Sequence, residues 1–162
     1  MNRFESLLRY FPHPVLVLDA GCGDCDTAQQ YRSQWEKSGI IGLDQNSDGL
    51  KRAFHREPSI HWLCADLTQL PFAPHPQFDL ILARHPNVDG VPSTWARFFE
   101  TVPTLLLPGG HLIVTTYSAL ESDKVRQWLA PAPNLLEIPI EGLPPSDLVG
   151  HDAWVRVYCR KP

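Results

Sequence analysis

The stretch VLVLDAGCGDCD, residues 15–26, decides the fold class of this 162-residue chain. Val15, Leu16, Val17 and Leu18 form a short apolar run, partly β-branched, which is the pattern of a buried strand. The run ends on Asp19, followed by Gly21 and Gly23. Glycine after a strand permits positive φ and lets a ligand approach the backbone closely. A helical pattern follows, so the turn is expected to present unpaired backbone N–H groups at a helix start. Strand, glycine turn and helix together open a nucleotide-type site.

Outward from that stretch, helices and strands alternate. Phe4, Leu7, Leu8 and Phe11 predict a short helix over 2–10, ended by Pro12 and Pro14. After the glycine turn a helix is predicted over 27–37, with Asp24 or Asp26 as its cap and Gly39 as its C-terminal stop. Residues 39–43 read as a second strand ending at Asp44. Asn46, Ser47 and Asp48 offer caps for a helix to about His55, closed by Pro58. Residues 60–64 read as a third strand ending near Asp66. The connection PFAPHPQ leads to a fourth strand over 78–83, which leaves the sheet as the loop Arg84-His85-Pro86-Asn87.

Ser93 or Thr94 should cap a helix carrying Trp95, Phe98, Phe99 and Val102, and Pro103 should kink or interrupt it. Leu107-Pro108-Gly109-Gly110 reads as a tight turn into a fifth strand over 111–117. Ser118 with Glu121 is a capping box for a helix to about Ala130. Two late runs, 135–140 and 154–160, read as an antiparallel pair of strands joined by a Pro/Gly-rich loop. The alternation predicts an α/β, doubly wound, largely parallel sheet with helices on both faces. In such sheets the ligand lies at the carboxyl ends of the strands beside the first one. The glycine turn, Asp44, Asp66 and Arg84-His85 all fall there.

Length points to one domain, 1–162, and 43% hydrophobic with 20% charged residues is ordinary globular composition. A net charge of -4 does not indicate a nucleic-acid surface, and no apolar run approaches the ~20 residues that cross a bilayer. No secretory signal is read at the N-terminus, and the four cysteines make no disulfide framework, so a cytoplasmic setting is expected. Cys22 and Cys25 have the spacing of a redox pair or half a zinc site, but no second pair exists and no metal is expected.

The turn narrows the ligand. A dinucleotide fingerprint needs glycine at position 26, where Asp26 stands, and Asp19, Asp24 and Asp26 would repel a pyrophosphate. Asp19 suits an ammonium group. Asp44, 21 residues after Gly23, ends the next strand, where a carboxylate can accept hydrogen bonds from both ribose hydroxyls. The residues ask for a cationic nucleoside.

On these residues the chain resembles the class I S-adenosylmethionine-dependent methyltransferases. Their first motif, acid-x-Gly-x-Gly-x-Gly, is matched by Asp19-Ala20-Gly21-Cys22-Gly23-Asp24, with Cys25 in place of the third glycine. Asp44, Asp66 in CADLTQLPF, the strand FDLILA and the segment LLPGGHLIV extend the likeness over 15–117. The resemblance implies a mostly parallel seven-stranded sheet with a C-terminal antiparallel hairpin. It implies three segments: an N-terminal helix and linker over 1–14, a cofactor core over 15–117 and a C-terminal part over 118–162. S-adenosylmethionine would be held by Asp19, Ala20, Gly21, Cys22, Gly23, Asp44, Gln45, Asp66, Leu67 and Ala83.

Two departures bear on function. Cys25 adds a side chain beside the expected cofactor path. The loop Arg84-His85-Pro86-Asn87 is neither the Asn/Asp-Pro-Pro-aromatic box of amino methyltransferases nor the Pro-Cys of pyrimidine-carbon enzymes, so the acceptor class does not transfer. His85 is the candidate base, since an imidazole suits proton removal near neutral pH, and Arg84 is a candidate contact for the cofactor's carboxylate or an acidic substrate. The expected activity is methyl transfer to a small molecule. A non-catalytic cofactor-binding module acting through a protein partner is the alternative, and an NAD or nucleotide-sugar enzyme is a third reading.

Overall fold

Leu16–Ala20 forms β1, flanked on one side by β2 (Gly39–Asp44) and on the other by β4 (Phe78–Arg84), all three parallel. The computed structural model describes residues 3–144 and 152–162. Beyond β2 lies β3 (His61–Cys64), and beyond β4 lies β5 (Leu106–Thr116). Then β7 (Trp154–Arg160) pairs antiparallel with both β5 and β6 (Leu135–Ile138), giving the order β3-β2-β1-β4-β5-β7-β6. The chain reverses direction of growth between β1 and β4, which places the switch point at the carboxyl end of β1. The seven-stranded sheet and the terminal hairpin expected from the sequence are both present. The loop joining the hairpin is described only in part, because 145–151 lie outside the described residues.

Period-two alternation along the strands builds two cores. Leu18, Ala20, Ile81 and Ala83 turn to one face, where α4 (Pro92–Leu105) and α5 (Ala119–Leu129) bring Trp95, Phe98, Phe99 and Val125. Val17, Leu80 and Leu82 turn to the other face, covered by α1 (Arg3–Leu8) and α2 (Ala28–Gln34) with Phe4, Leu7, Leu8 and Tyr31. Between β2 and β3, α3 (Ser47–Arg56) adds Ala53 to that second core. The same alternation sends Asp19 and Arg84 toward the α1 and α2 face.

Several local expectations are corrected. Residue 27, not Asp24 or Asp26, stands at the N-terminus of α2, and its side chain makes no capping hydrogen bond. That helix ends at Trp35, whose N–H donates to Tyr31 O, so Gly39 opens β2 instead of stopping a helix. Pro92 starts α4, which needs no cap from Ser93 or Thr94, and the helix runs through Pro103. Pro103 lies in its last turn and forgoes one i→i−4 bond there. Asn46 caps α3 through Gly49 N–H, and the Ser118–Glu121 capping box of α5 is complete.

Candidate active site

The glycine loop after β1 is held from inside. Gly21 N–H and Cys22 N–H donate to Leu43 O at 2.8 and 3.1 Å, and Cys25 N–H donates to Cys22 O at 2.9 Å. Gly23 N–H donates to Asp44 Oδ2 at 2.8 Å. The amides of Gly21, Cys22, Gly23 and Cys25 are therefore spent on β2 and on the loop itself, because β2 ends level with the loop and supplies the acceptors. Gly21 and Gly23 take positive φ, +68° and +59°. A Cβ at Gly21 would sit 2.7 Å from the Trp95 ring, so glycine is required for that indole to close over the loop. Gly21→Ala is expected to cost about 2 kcal/mol from the strained φ and the overlap together. Urea unfolding of both proteins measures it; equal midpoints would remove this account of Gly21.

Cys25 replaces the motif's third glycine while keeping a positive φ of 41°. Its thiol turns into the second core, 4% exposed, and donates to Asp19 Oδ2 at 3.4 Å. Cys22 Sγ packs against the same core from its edge, 3.2 Å from where a Cβ on Gly42 would lie. Burial pushes both thiols up from the ordinary thiol range. Asp19 is buried, and desolvation raises its carboxyl from 3.8 to about 6, against the lowering effects of the Cys25 hydrogen bond and the Arg84 charge.

Two cavities open at the carboxyl ends of the strands and share Gly21 and His85. The first, about 260 Å³, is walled by Asp44, Gln45, Asp66, Leu67, Val91 and Trp95. The second, about 180 Å³, is walled by Asp19, Cys22, Asp26, Arg84 and Tyr117. Ala20 and Ala83 line neither; alternation along β1 and β4 puts both in the core beneath α4. Asp44 Oδ1 also accepts from Asn46 N–H at 2.8 Å, so this carboxylate ties the glycine loop to the start of α3. Asp66 accepts from Thr68 N–H and Oγ1 at 2.7 and 2.9 Å, capping its own turn while bordering the first cavity.

Arg84 and His85 leave the end of β4 toward the second cavity and meet a residue the sequence reading did not single out. Asp152, only 4% exposed, takes Arg84 Nε at 3.2 Å on Oδ1 and Nη2 at 3.0 Å on Oδ2. His85 Nε2 lies 2.9 Å from the same Oδ1. Arg84 Nη1 reaches Asp26 Oδ1 at 3.2 Å, and its guanidinium lies 4.5 Å over the Phe4 ring. The His85 ring meets Tyr117 edge-on at 3.9 Å. No spacing in the sequence points to Asp152, which is 67 residues from His85 and depends on β7 pairing with β5. Trp95 was readable as a core residue, and it is one; its second role as a cavity wall follows only from the bare Gly21 beneath it.

Residues 17–110 match the family described as "Methyltransferase domain", more than half of the chain, and the chain belongs to that family. It is 32% identical over 123 residues to a trans-aconitate 2-methyltransferase of Acidovorax sp. (strain JS42), covering 70% of this chain and 46% of that protein. It is 31% identical over 124 residues to a fatty-acid O-methyltransferase of Mycolicibacterium smegmatis (strain ATCC 700084 / mc(2)155), covering 72% of this chain and 43% of that one. The chain therefore spans less than half the length of these two relatives. Among solved structures, a TehB-like SAM-dependent methyltransferase from Corynebacterium glutamicum superposes with a TM-score of 0.74 at 18% identity, over 100% of this chain and 89% of that chain, which establishes the shared fold. Among the described residues no helix is long and apolar enough to cross a membrane.

Proposed function

We propose that this chain binds S-adenosylmethionine across the paired cavities and transfers its methyl group to a small-molecule acceptor. The observation that carries the reading is the inward use of the glycine-loop amides. Gly21, Cys22 and Gly23 donate to Leu43 and Asp44, so they offer no cradle to an anion, while Asp19, Asp44 and Asp66 border the adjoining space. That donor set fits a nucleoside bearing an ammonium and a sulfonium, and it does not fit the pyrophosphate of NAD or of a nucleotide sugar. Cys25 borders the second cavity with its thiol hydrogen-bonded to Asp19 Oδ2.

On this reading Asp44 takes the ribose hydroxyls, with Gln45 beside it. Asp66, Leu67 and Trp95 form the wall for the base, and Asp19 balances the ammonium. When bound, S-adenosylmethionine supplies a methyl carbon open to an acceptor lone pair, the S–CH₃ electron pair staying on sulfur. The chain's own task is then alignment and exclusion of water, and Tyr117 and Val91 border the space where the acceptor enters. His85, common to both cavities, receives the acceptor's proton. Arg84 cross-links Asp26 and Asp152 at the wall of the second cavity. Support for a small acceptor comes from the relatives named for trans-aconitate and fatty-acid methylation.

The test is a calorimetric titration of the folded chain with S-adenosylhomocysteine, followed by transfer of labelled methyl to a panel of small carboxylic acids, amines and phenols. Saturable heat and label on at least one acceptor are expected. Absence of any heat would defeat the reading.

A further inference from the structure

We infer that Asp152 is the positioning residue of the acceptor side, holding the His85 imidazole with its proton on Nε2 and its lone pair on Nδ1; the role rests on the methyl-transfer reading above. Asp152 stands at the entry to β7, two residues before Trp154, which the register of that strand sets opposite Thr116, the last residue of β5. The chain reaches it in the left-handed region, φ +47°, and His85 itself lies there at +51°. Neither residue is glycine, so both backbones carry strain that the surrounding contacts must hold. What that strain secures is a carboxylate facing two cations or potential cations from one buried point.

The chemistry of the contact selects the tautomer. Oδ1 lies 2.9 Å from His85 Nε2, and the Asp152 N–H points at the same nitrogen from 3.2 Å, so Nε2 can satisfy only one of them. A charged acceptor at that distance outweighs a neutral donor, so Nε2 carries hydrogen and donates to the carboxylate. In the neutral ring the remaining lone pair then belongs to Nδ1. Burial alone would push the Asp152 carboxyl up, but the His85 and Arg84 hydrogen bonds outweigh it and hold the group well below the usual carboxylate range. Asp152 therefore stays an anion at any pH at which the protein works.

A purely structural ion pair does not account for the arrangement. Arg84 meets the carboxylate with both Nε and Nη2, which already balances its charge. The further bond goes to His85, the one titratable side chain among the described residues that lines both cavities. Tyr117 packs against the same ring edge-on and helps to hold its plane. Arg84 continues to Asp26, which ties this assembly to the glycine loop and keeps the imidazole in fixed relation to the cofactor side.

Nitrogen-15 spectra of the imidazoles in the intact chain test this without knowledge of the acceptor, with His85 assigned by the signal lost in His85→Gln. The expected result is a protonated Nε2 and an unprotonated Nδ1 in the neutral ring. Asp152→Asn offers an amide N–H to Nε2 and is expected to move the proton to Nδ1, as an Asp-to-Asn change does in a Ser-His-Asp site. In that variant S-adenosylhomocysteine affinity should stay within about threefold, whereas kcat on whichever panel acceptor is turned over should fall roughly 100-fold, with KM little changed. Asp152→Glu should recover part of the rate. Protonated Nδ1 in the natural protein would overturn the proposal, and this holds even if Asp152→Asn fails to fold. Unchanged tautomer and rate in a folded Asp152→Asn would also overturn it. Failure to bind S-adenosylhomocysteine would instead defeat the methyl-transfer reading, and the Asp152 role with it, so the two failures are distinguishable.

Discussion

Asp19→Asn is expected to make the protein more stable by about 3 kcal/mol at pH 8, and by nothing measurable below about pH 4. Asp19 is buried beneath the glycine loop, and its carboxyl titrates near 6 instead of 3.8 because desolvation penalises the ionised form. Below 3.8 both folded and unfolded chains hold the proton, so there is no cost. As pH rises toward 6, the unfolded chain releases the proton while the folded chain retains it, and stability falls by about 1.4 kcal/mol per unit. Above that window both forms are ionised and the full penalty is present. Asparagine has nearly the same shape and no charge, so it removes the penalty, and its oxygen can still accept the Cys25 thiol. For a chain of this length the gain corresponds to roughly 6–12 °C in Tm. Thermal or urea unfolding at pH 4, 6 and 8 reads the effect. A gain independent of pH, or none at pH 8, would show that desolvation of Asp19 is not a cost of folding.

The same substitution should act in the opposite direction on function. A carboxylate kept in a destabilising place is a familiar cost of a binding site. On the proposed reading an ammonium beside Asp19 offsets the desolvation of its carboxylate. Asp19→Asn should therefore weaken S-adenosylhomocysteine binding at pH 8 while raising Tm. A variant gaining stability without losing affinity would separate Asp19 from the ligand.

Much of this architecture is legible in local sequence because it is locally encoded. Apolar runs ending in acids mark β1 and β2, a similar run ending at Arg84 marks β4, and their alternation with helical patterns leaves few topologies. The acids at the strand ends were visible for the same reason. What local pattern does not encode is where backbone donors go. The amides of Gly21, Cys22 and Gly23 look unpaired in a strand–turn–helix reading and are paired once Leu43 and Asp44 of β2 arrive beside them. Side-chain facing was equally hidden at Ala20 and Ala83, which share a motif with pocket residues and lie one position off the pocket face. Cys25 reads as an obstruction, yet a left-handed backbone turns its thiol into the core. Asp152 was the least legible, since its meeting with Arg84 and His85 exists only after β7 has paired with β5.

Asp44→Ala is expected to lower S-adenosylhomocysteine affinity about 100-fold, close to 3 kcal/mol, and to loosen the glycine loop as well. The carboxylate has two tasks, and the magnitude depends on separating them. Within the protein it accepts Gly23 N–H on Oδ2 and Asn46 N–H on Oδ1, both at 2.8 Å. Each oxygen has a second lone pair, so ribose hydroxyls can bind without displacing the amides. Hydrogen bonds to a charged acceptor contribute about 1.5–3 kcal/mol each, which sets the size of the loss. Alanine removes both tasks together and leaves two amides without their acceptor, so some of its effect comes from a disordered loop. Asp44→Asn separates them, because its single oxygen can keep Gly23 N–H while its amide nitrogen cannot accept from Asn46 or from a hydroxyl. If the ribose contact dominates, Asn should recover most of the thermal stability lost in Ala but only a small part of the affinity. If Asp44 acts only through the loop, stability and affinity should recover in step. Calorimetric titration and thermal unfolding of the three proteins, in one buffer at pH 7.5, decide between a carboxylate that holds the ligand and one that only shapes the turn.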